Sequence, residues 1–168
     1  MILTAKQVLN MFWYNTAPID PERIANNVNI RVYREKLDDT LSGYIQKNPK
    51  NNEVEIYVNS NHSINRQRFT IAHELGHYFS MEEFNERIED NADLVTSDMI
   101  LKFRKDNCTD HQEIYANQFA SELLMPKEAI DYLLKTKKAK TIGELASFLQ
   151  VSISAMNIRL INLGYIDA

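Results

Sequence analysis

Cysteine is nearly absent from this sequence, since Cys108 is the only one among 168 residues. A lone cysteine cannot form an internal disulfide, and it cannot build a zinc site that uses several cysteine ligands. Proteins of oxidising compartments often depend on disulfides, so this scarcity favours the reducing cytoplasm. The sequence therefore predicts a cytoplasmic protein without a disulfide or a cysteine-based zinc site.

Long apolar runs and excess positive charge are also missing. No run approaches the roughly 18 consecutive apolar residues of a membrane span, and the N-terminal stretch MILTAKQVLNMFWY lacks the basic segment and cleavage site of a secretory signal. A net charge of −4 and a pI near 5.6 argue against binding of nucleic acid through bulk charge. We therefore expect a soluble, unsecreted protein with no membrane partner.

The sequence does contain enough apolar material for a globular core. With 168 residues and 44 % hydrophobic composition, the chain corresponds to one ordinary domain, or to a domain with a small appendage. Apolar residues between Thr4 and Tyr14 predict an amphipathic helix with Thr4 as its N-cap. Asp20 and the proline after it predict the cap and first turn of a second short helix through Ala25.

A His-Glu-x-x-His motif lies within RQRFTIAHELGHYF, residues 66–79. In a helix, His73 and His77 lie one turn apart on the same face, so both imidazoles can reach one metal ion. Zinc suits this pair because it accepts neutral imidazole nitrogen and keeps one position open for water in catalytic sites. Glu74 can face that water, whose pKa the ion lowers towards about 7, and accept its proton during attack on a peptide carbonyl. The motif predicts His73 and His77 as metal ligands and Glu74 as the catalytic base.

The alternative to a metal site is a helix in which His73 and His77 are ordinary polar residues without a metal-binding role. Apolar residues surround the motif, so the histidines are expected at the boundary between the core and a cleft. Gly76 is a poor helix former, by about 1 kcal/mol relative to alanine. A glycine at this position makes sense if another backbone or a ligand approaches closely.

Three strand patterns precede the motif, at residues 30–33, 41–46 and 54–58. A polar loop typical of a hairpin joins the last two strands, and the alternation predicts a half-buried antiparallel sheet. The third strand ends just before the predicted motif helix. Because extended substrates commonly pair with a sheet edge, one edge could line the substrate cleft, unless loops of the chain cover it.

The second informative stretch is EIYANQFASELLMP, residues 113–126. As a helix, it places Ala116 and Ala120 on the face that carries Glu113, which permits close approach to the histidine helix. Glu113 would then project towards the metal as an anionic third ligand, and two histidines with a glutamate form one of the ligand sets of catalytic zinc. His111 is the rival third ligand. We prefer Glu113 because it shares a helix face with the small residues.

Asn117 and two phenols lie near these motifs. Asn117, one turn after Glu113, could orient Glu113 or a histidine through a hydrogen bond. Tyr78 and Tyr115 are the available phenols, and the sequence assigns neither of them to stabilising an oxyanion. The charged stretch between Met81 and His111 predicts short helix and loop and could act as a lid.

Helical patterns continue to the C-terminus. A helix is expected from Pro126 through about Leu134, and two more are expected from the capping box at Thr141 to about residue 163. The stretch ELASFLQVSISAMNIRL looks like a helix-turn-helix. Its second helix has Arg159 as its one cation, so packing against the preceding domain, or gripping a partner, is favoured over binding DNA.

The pair RFTIAHELGHYF and ExxANQFASELLMP resembles the ImmA/IrrE family of metallopeptidases. The preceding order of helix, short helix, strand and hairpin ending in EIYVNSN is also similar to that family. The resemblance implies an α+β, zincin-like minimal peptidase with a small antiparallel or mixed sheet packed on the HExxH helix. A helix-turn-helix-like region follows, so we divide the chain into a zinc metallopeptidase domain, 1–126, and a helical C-terminal subdomain, 127–168.

The resemblance also implies a function, with His73, His77 and Glu113 holding Zn²⁺ and Glu74 acting as base in an endopeptidase. Many members of the family cut a partner helix-turn-helix repressor of a mobile element, prophage or stress response, so the expected partner is such a repressor and not DNA. One departure is that many relatives carry another histidine shortly after the motif, where this chain reads SME from Ser80.

A different class of function stays open at this point. The chain could be a non-catalytic regulatory or toxin-antitoxin-type module that is stabilised by metal and binds a partner protein or DNA. The intact Glu74 favours the enzyme, because a structural metal site has no need of a base.

Overall fold

The computed structural model describes residues 2–13, 16–81 and 111–167, together with the backbone of residues 88–91. The helices, in chain order, are α1 Ala5–Phe12, α2 Pro21–Asn27, α3 Ile64–Ser80, α4 His111–Leu124, α5 Lys127–Lys135, α6 Ile142–Leu149 and α7 Ile153–Asn162. The strands are β1 Arg31–Glu35, β2 Leu41–Lys47, β3 Val54–Asn59 and β4 Ile88–Asn91. These elements confirm the predicted α+β class. None of the described helices is both long and apolar enough to cross a lipid bilayer.

The first two helices begin at the residues that capping chemistry predicts. The side chain of Thr4 accepts a hydrogen bond from the Gln7 amide, and the Gln7 side chain accepts one from the Thr4 amide. Asp20 caps α2 in the predicted place, and the helix extends two residues beyond the predicted end, to Asn27. The predicted end of the first helix at Tyr14 lies outside the described residues.

The strands form one sheet in the order β1-β3-β2-β4. β2 and β3 pair antiparallel, with Tyr44 opposite Tyr57, as the hairpin pattern predicts. β1 runs parallel to β3, so the sheet is mixed, which is one of the two arrangements that the family resemblance implied. The alternation in the sequence shows which side chains are buried, but it carries no information on the direction of the neighbouring strand.

β4 lies in the charged segment for which we predicted short helix and loop. It pairs antiparallel with β2, so the edge of β2 is covered and β1 and β4 are the outer strands of the described sheet. The hypothesis that a sheet edge lines the cleft therefore concerns these two strands. Residues 82–87 and 92–110, which include most of the predicted lid, lie outside the described part.

Helix α3 packs against β2 and β3 and buries its apolar side chains against the sheet and α4. Ile71, Leu75 and Phe79 are almost completely buried, together with Ile45 and Ile56 of the sheet. Burial of apolar side chains of this size stabilises the fold by roughly 1.5–3 kcal/mol each. This packing fixes α3, and therefore the histidine motif, on a rigid platform.

The C-terminal helices form the predicted helix-turn-helix pattern. Thr141 caps α6 in a capping box, and Gln150, with φ 52°, turns the chain into α7. The turn binds α3 directly, since Asn65 donates to the carbonyl of Val151 at 3.1 Å and Arg68 donates to that of Gln150 at 3.3 Å. The division of the chain at residue 126 stays a prediction.

Candidate metal centre

The site forms where α3 and α4 approach each other closely. A Cβ atom added to Gly76 would lie 2.8 Å from the Cα of Ala116 and 3.1 Å from the Cβ of Phe119. A methyl group does not fit at these distances, so the small residues on both helices permit the contact. This confirms the prediction that another backbone approaches Gly76. The contact also brings side chains of α4 to the two histidines of α3.

Three side chains converge in the space that this contact creates. The Nε2 atoms of His73 and His77 lie 2.9 Å apart. Glu113 places Oε1 at 3.0 Å from Nε2 of His77 and Oε2 at 3.3 Å from Nε2 of His73. One ligand atom from each residue lies within 4.8 Å of the others. The structure therefore brings together the three residues that the sequence predicts as ligands.

Burial and charge make the cluster asymmetric. His73, Glu74 and His77 are 0 % exposed, whereas the side chain of Glu113 keeps 20 % of its surface exposed. Burial raises the pKa of Glu113, but without a metal ion the protonated forms of His73 and His77 donate hydrogen bonds to it and place positive charge beside it, and together they lower that pKa to about 2. Glu113 is therefore ionised at neutral pH and supplies an anionic oxygen.

Asn117 fixes one of the two rings. Its Oδ1 lies 3.1 Å from Nδ1 of His73. An amide oxygen only accepts hydrogen bonds, so Nδ1 is the donor in this contact, and Nε2, which faces His77 and Glu113, is the nitrogen left to bind a metal ion. Of the two partners predicted for Asn117, the structure places His73 against its oxygen.

The donor set fits a divalent metal ion. Donors at 2.0–2.1 Å from a tetrahedral zinc ion are about 3.3 Å apart. The two nitrogens lie 2.9 Å apart, and each lies 3.0 or 3.3 Å from a different oxygen of Glu113, so the contacts lie within a few tenths of an ångström of that value. When both rings are neutral, their Nε2 lone pairs and the Glu113 carboxylate repel each other, and a cation between them removes the repulsion. Geometry and chemistry therefore both suit a metal held by two histidines and a glutamate.

The other candidate residues lie apart from this cluster. His111, the rival third ligand, is exposed at the first residue of α4 and does not belong to the cluster. Tyr115 donates its hydroxyl to the Leu3 carbonyl at 2.9 Å, which ties the N-terminus to α4. Tyr78 is half-buried and packs edge-on against Phe79. No motif in the sequence signals the tie between Tyr115 and Leu3.

The close contact of α3 and α4 predicts that Gly76→Ala destabilises the protein. The added methyl group must push Ala116 away, and overpacking of this kind costs about 1–3 kcal/mol in the free energy of unfolding. The displaced α4 also moves Glu113 away from the histidines, so affinity for zinc should fall. Urea denaturation and a zinc titration measure the two effects.

Gly143→Ala is the matched control for this substitution. Gly143 is also helical, but a Cβ added there meets only the Thr141 hydroxyl oxygen, at 4.0 Å. Alanine should be neutral or stabilise α6 by up to about 1 kcal/mol through its helix propensity. If both variants had the stability of the unaltered protein, the close approach of α3 and α4 would be contradicted.

Comparison with known proteins agrees with this geometry. Residues 25–161 match the peptidase family M78, described as the IrrE N-terminal-like domain. The chain is also 27 % identical over 135 residues to the metallopeptidase ImmA of Bacillus subtilis (strain 168), an alignment that covers 80 % of this chain and 72 % of that protein. A metallopeptidase family implies a bound metal, and the cluster of two histidines and a glutamate is a place for one. The chain therefore belongs to the ImmA/IrrE family of metallopeptidases.

Proposed function

We propose that the protein is a zinc-dependent endopeptidase. The observation that carries this proposal is the convergence of His73, His77 and Glu113, with the buried carboxylate of Glu74 next to them on α3. His73 and His77 offer neutral nitrogens and Glu113 offers one negative charge, which is the donor chemistry of catalytic zinc. A purely structural site commonly has four protein ligands, whereas three such residues converge within the described part of the chain.

Each residue of the site has a distinct role in the proposed reaction. Zinc, when bound, lowers the pKa of a water molecule and so supplies a nucleophile near neutral pH. Glu74 accepts the proton of that water as it attacks the peptide carbonyl, and then passes the proton to the leaving amine. Because Glu74 is fully buried, its carboxylate is shielded from bulk solvent. His73, His77 and Glu113 would hold the ion and would take no part in the proton transfer.

The proposed substrate is a cytoplasmic protein, namely a helix-turn-helix repressor of a mobile element, prophage or stress response. Membership of the ImmA/IrrE family supports a protein substrate. The surface of α7 does not favour DNA, because Arg159, the one cation of that helix, is only 12 % exposed. Its guanidinium donates to the Met125 carbonyl at 3.1 Å and lies 3.9 Å from Glu122, so it is not available for phosphate.

A cleavage assay tests the proposed function. The zinc-loaded protein is incubated with helix-turn-helix repressors of the same organism, starting with any that is encoded in a neighbouring gene, and the products are identified by intact mass spectrometry. We expect two fragments from a single cut, loss of cleavage after treatment with a zinc chelator, and recovery when zinc is restored. Cleavage that continues at full rate in metal-free protein would contradict the proposal, and so would an intact repressor at every zinc concentration.

A further inference from the structure

Asn117 differs from a surface asparagine because its side-chain amide contacts a buried histidine. It lies on α4 one turn after Glu113, and its oxygen lies 3.1 Å from Nδ1 of the fully buried His73. Its amide nitrogen is also shielded from solvent. Burial of a polar amide costs free energy unless hydrogen bonds compensate it. A leucine of similar size would not bear that cost. The hydrogen bond to His73 is therefore the interaction that explains an asparagine at this position.

We propose that Asn117 is the positioning residue of the metal site and that it holds His73 as the Nδ1-protonated tautomer. A neutral imidazole can carry its proton on either nitrogen, and the hydrogen bond of one nitrogen decides the state of the other. The Asn117 oxygen selects the proton on Nδ1 and also fixes the rotation of the ring. Nε2 is then the nitrogen available to a metal ion, and it is directed towards Nε2 of His77 at 2.9 Å and Oε2 of Glu113 at 3.3 Å.

One helix therefore performs two tasks at positions four residues apart. Glu113 supplies a ligand atom, and Asn117 orients a ligand that belongs to α3. Residues at i and i+4 share a helix face, so the approach of α4 at Gly76 places both at the site together. The inference rests on the proposed function, because it assigns a role to Asn117 only if these histidines bind metal.

Asn117 is uncharged, and this affects the expected metal affinity. A carboxylate on Nδ1 would raise the basicity of His73 and add a second negative charge beside Glu113, and both changes would strengthen metal binding. An amide orients the ring without that charge. We therefore expect zinc affinity to depend on the acceptor oxygen at position 117 and not on the amide nitrogen.

Two nearly isosteric substitutions separate these contributions. Asn117→Leu removes the acceptor, and Asn117→Asp keeps it. Gln118→Leu, at the next residue of α4, is the matched control because Gln118 is exposed. Zinc affinity of the full chain is measured by competition with a chromophoric chelator. We expect Asn117→Leu to weaken binding about 10–100-fold, Asn117→Asp to bind at least as tightly as the unaltered protein, and Gln118→Leu to leave affinity unchanged.

Nuclear magnetic resonance of the ring nitrogens reports which nitrogen of His73 carries the proton. Loss of packing alone would not change that result. In the zinc-bound protein, we expect a proton on Nδ1 of His73 that exchanges slowly with solvent. That signal should persist in Asn117→Asp and disappear in Asn117→Leu. Thermal unfolding of the metal-free variants reports whether the fold has changed.

The outcomes distinguish this inference from the function on which it rests. If the unaltered protein binds no zinc, both are overturned. If it binds zinc but Asn117→Leu has the same affinity and the same His73 signal, the role of Asn117 alone is overturned. If Asn117→Leu does not fold, the zinc affinities and His73 signals of the unaltered protein and Asn117→Asp test the role of Asn117. A His73 ring without a protected Nδ1 proton in the unaltered protein, or markedly weaker zinc binding by Asn117→Asp, would then overturn it.

Discussion

Replacing Glu74 with glutamine should slow peptide cleavage by about 10²–10⁴-fold, the usual contribution of a general base. Glutamine has the shape of glutamate, but its amide cannot take a proton from the attacking water. Glu74 follows His73 directly in α3 and is completely buried, so solvent cannot readily supply another base. The effect should fall on kcat, while KM changes little, because the proton transfer belongs to the transition state. Steady-state kinetics with the repressor as substrate measure both constants.

Two controls make the Glu74→Gln result specific. Zinc content, measured by elemental analysis, should equal that of the unaltered protein, since Glu74 does not belong to the donor cluster. Glu122→Gln makes the same chemical change on α4, where the side chain is 50 % exposed, and should leave the rate unchanged. Equal rates for Glu74→Gln and the unaltered protein would remove Glu74 from the role of base.

Local chemistry explains which parts of the fold could be predicted from the sequence. The starts of α1 and α6 follow from Thr4 and Thr141, because a capping box is completed within four residues of chain. The convergence of His73 and His77 follows from the helical period alone. Glu113 is a longer inference, because it required the small face of α4 to meet Gly76 of α3. These predictions succeeded where the signal lay inside one element or on one helix face.

The sequence is less informative about contacts between distant segments. β3 inserts between β1 and β2 in the sheet and runs parallel to β1. No pattern in residues 31–35 indicates that arrangement. β4 has the polar sequence IEDN, and it becomes a strand through backbone pairing with β2. Backbone hydrogen bonds do not depend on side-chain type, so such a short edge strand leaves little trace in the sequence.

Replacing Glu113 with glutamine should weaken zinc binding by more than about 100-fold, because loss of a direct ligand exceeds the 10–100-fold cost of losing its hydrogen-bond partners. The low pKa of Glu113, about 2, means that the carboxylate offers a full negative charge throughout the working pH range. Glutamine keeps the size of the side chain and an oxygen atom but removes that charge. Cleavage at limiting zinc should fall in parallel with the affinity.

His111→Gln provides the decisive comparison, since His111 is the other residue that the sequence offers as third ligand. It lies two residues before Glu113 but is exposed and outside the donor cluster, so its substitution should leave zinc affinity and cleavage unchanged. The reverse result, with His111→Gln losing zinc and Glu113→Gln retaining it, would move the third ligand to the start of α4. Such a shift would require α4 to give up its close contact with Gly76, where an added Cβ atom would lie only 2.8 Å from the Cα of Ala116. The contact between the helices therefore favours Glu113 over His111 as the proposed third ligand.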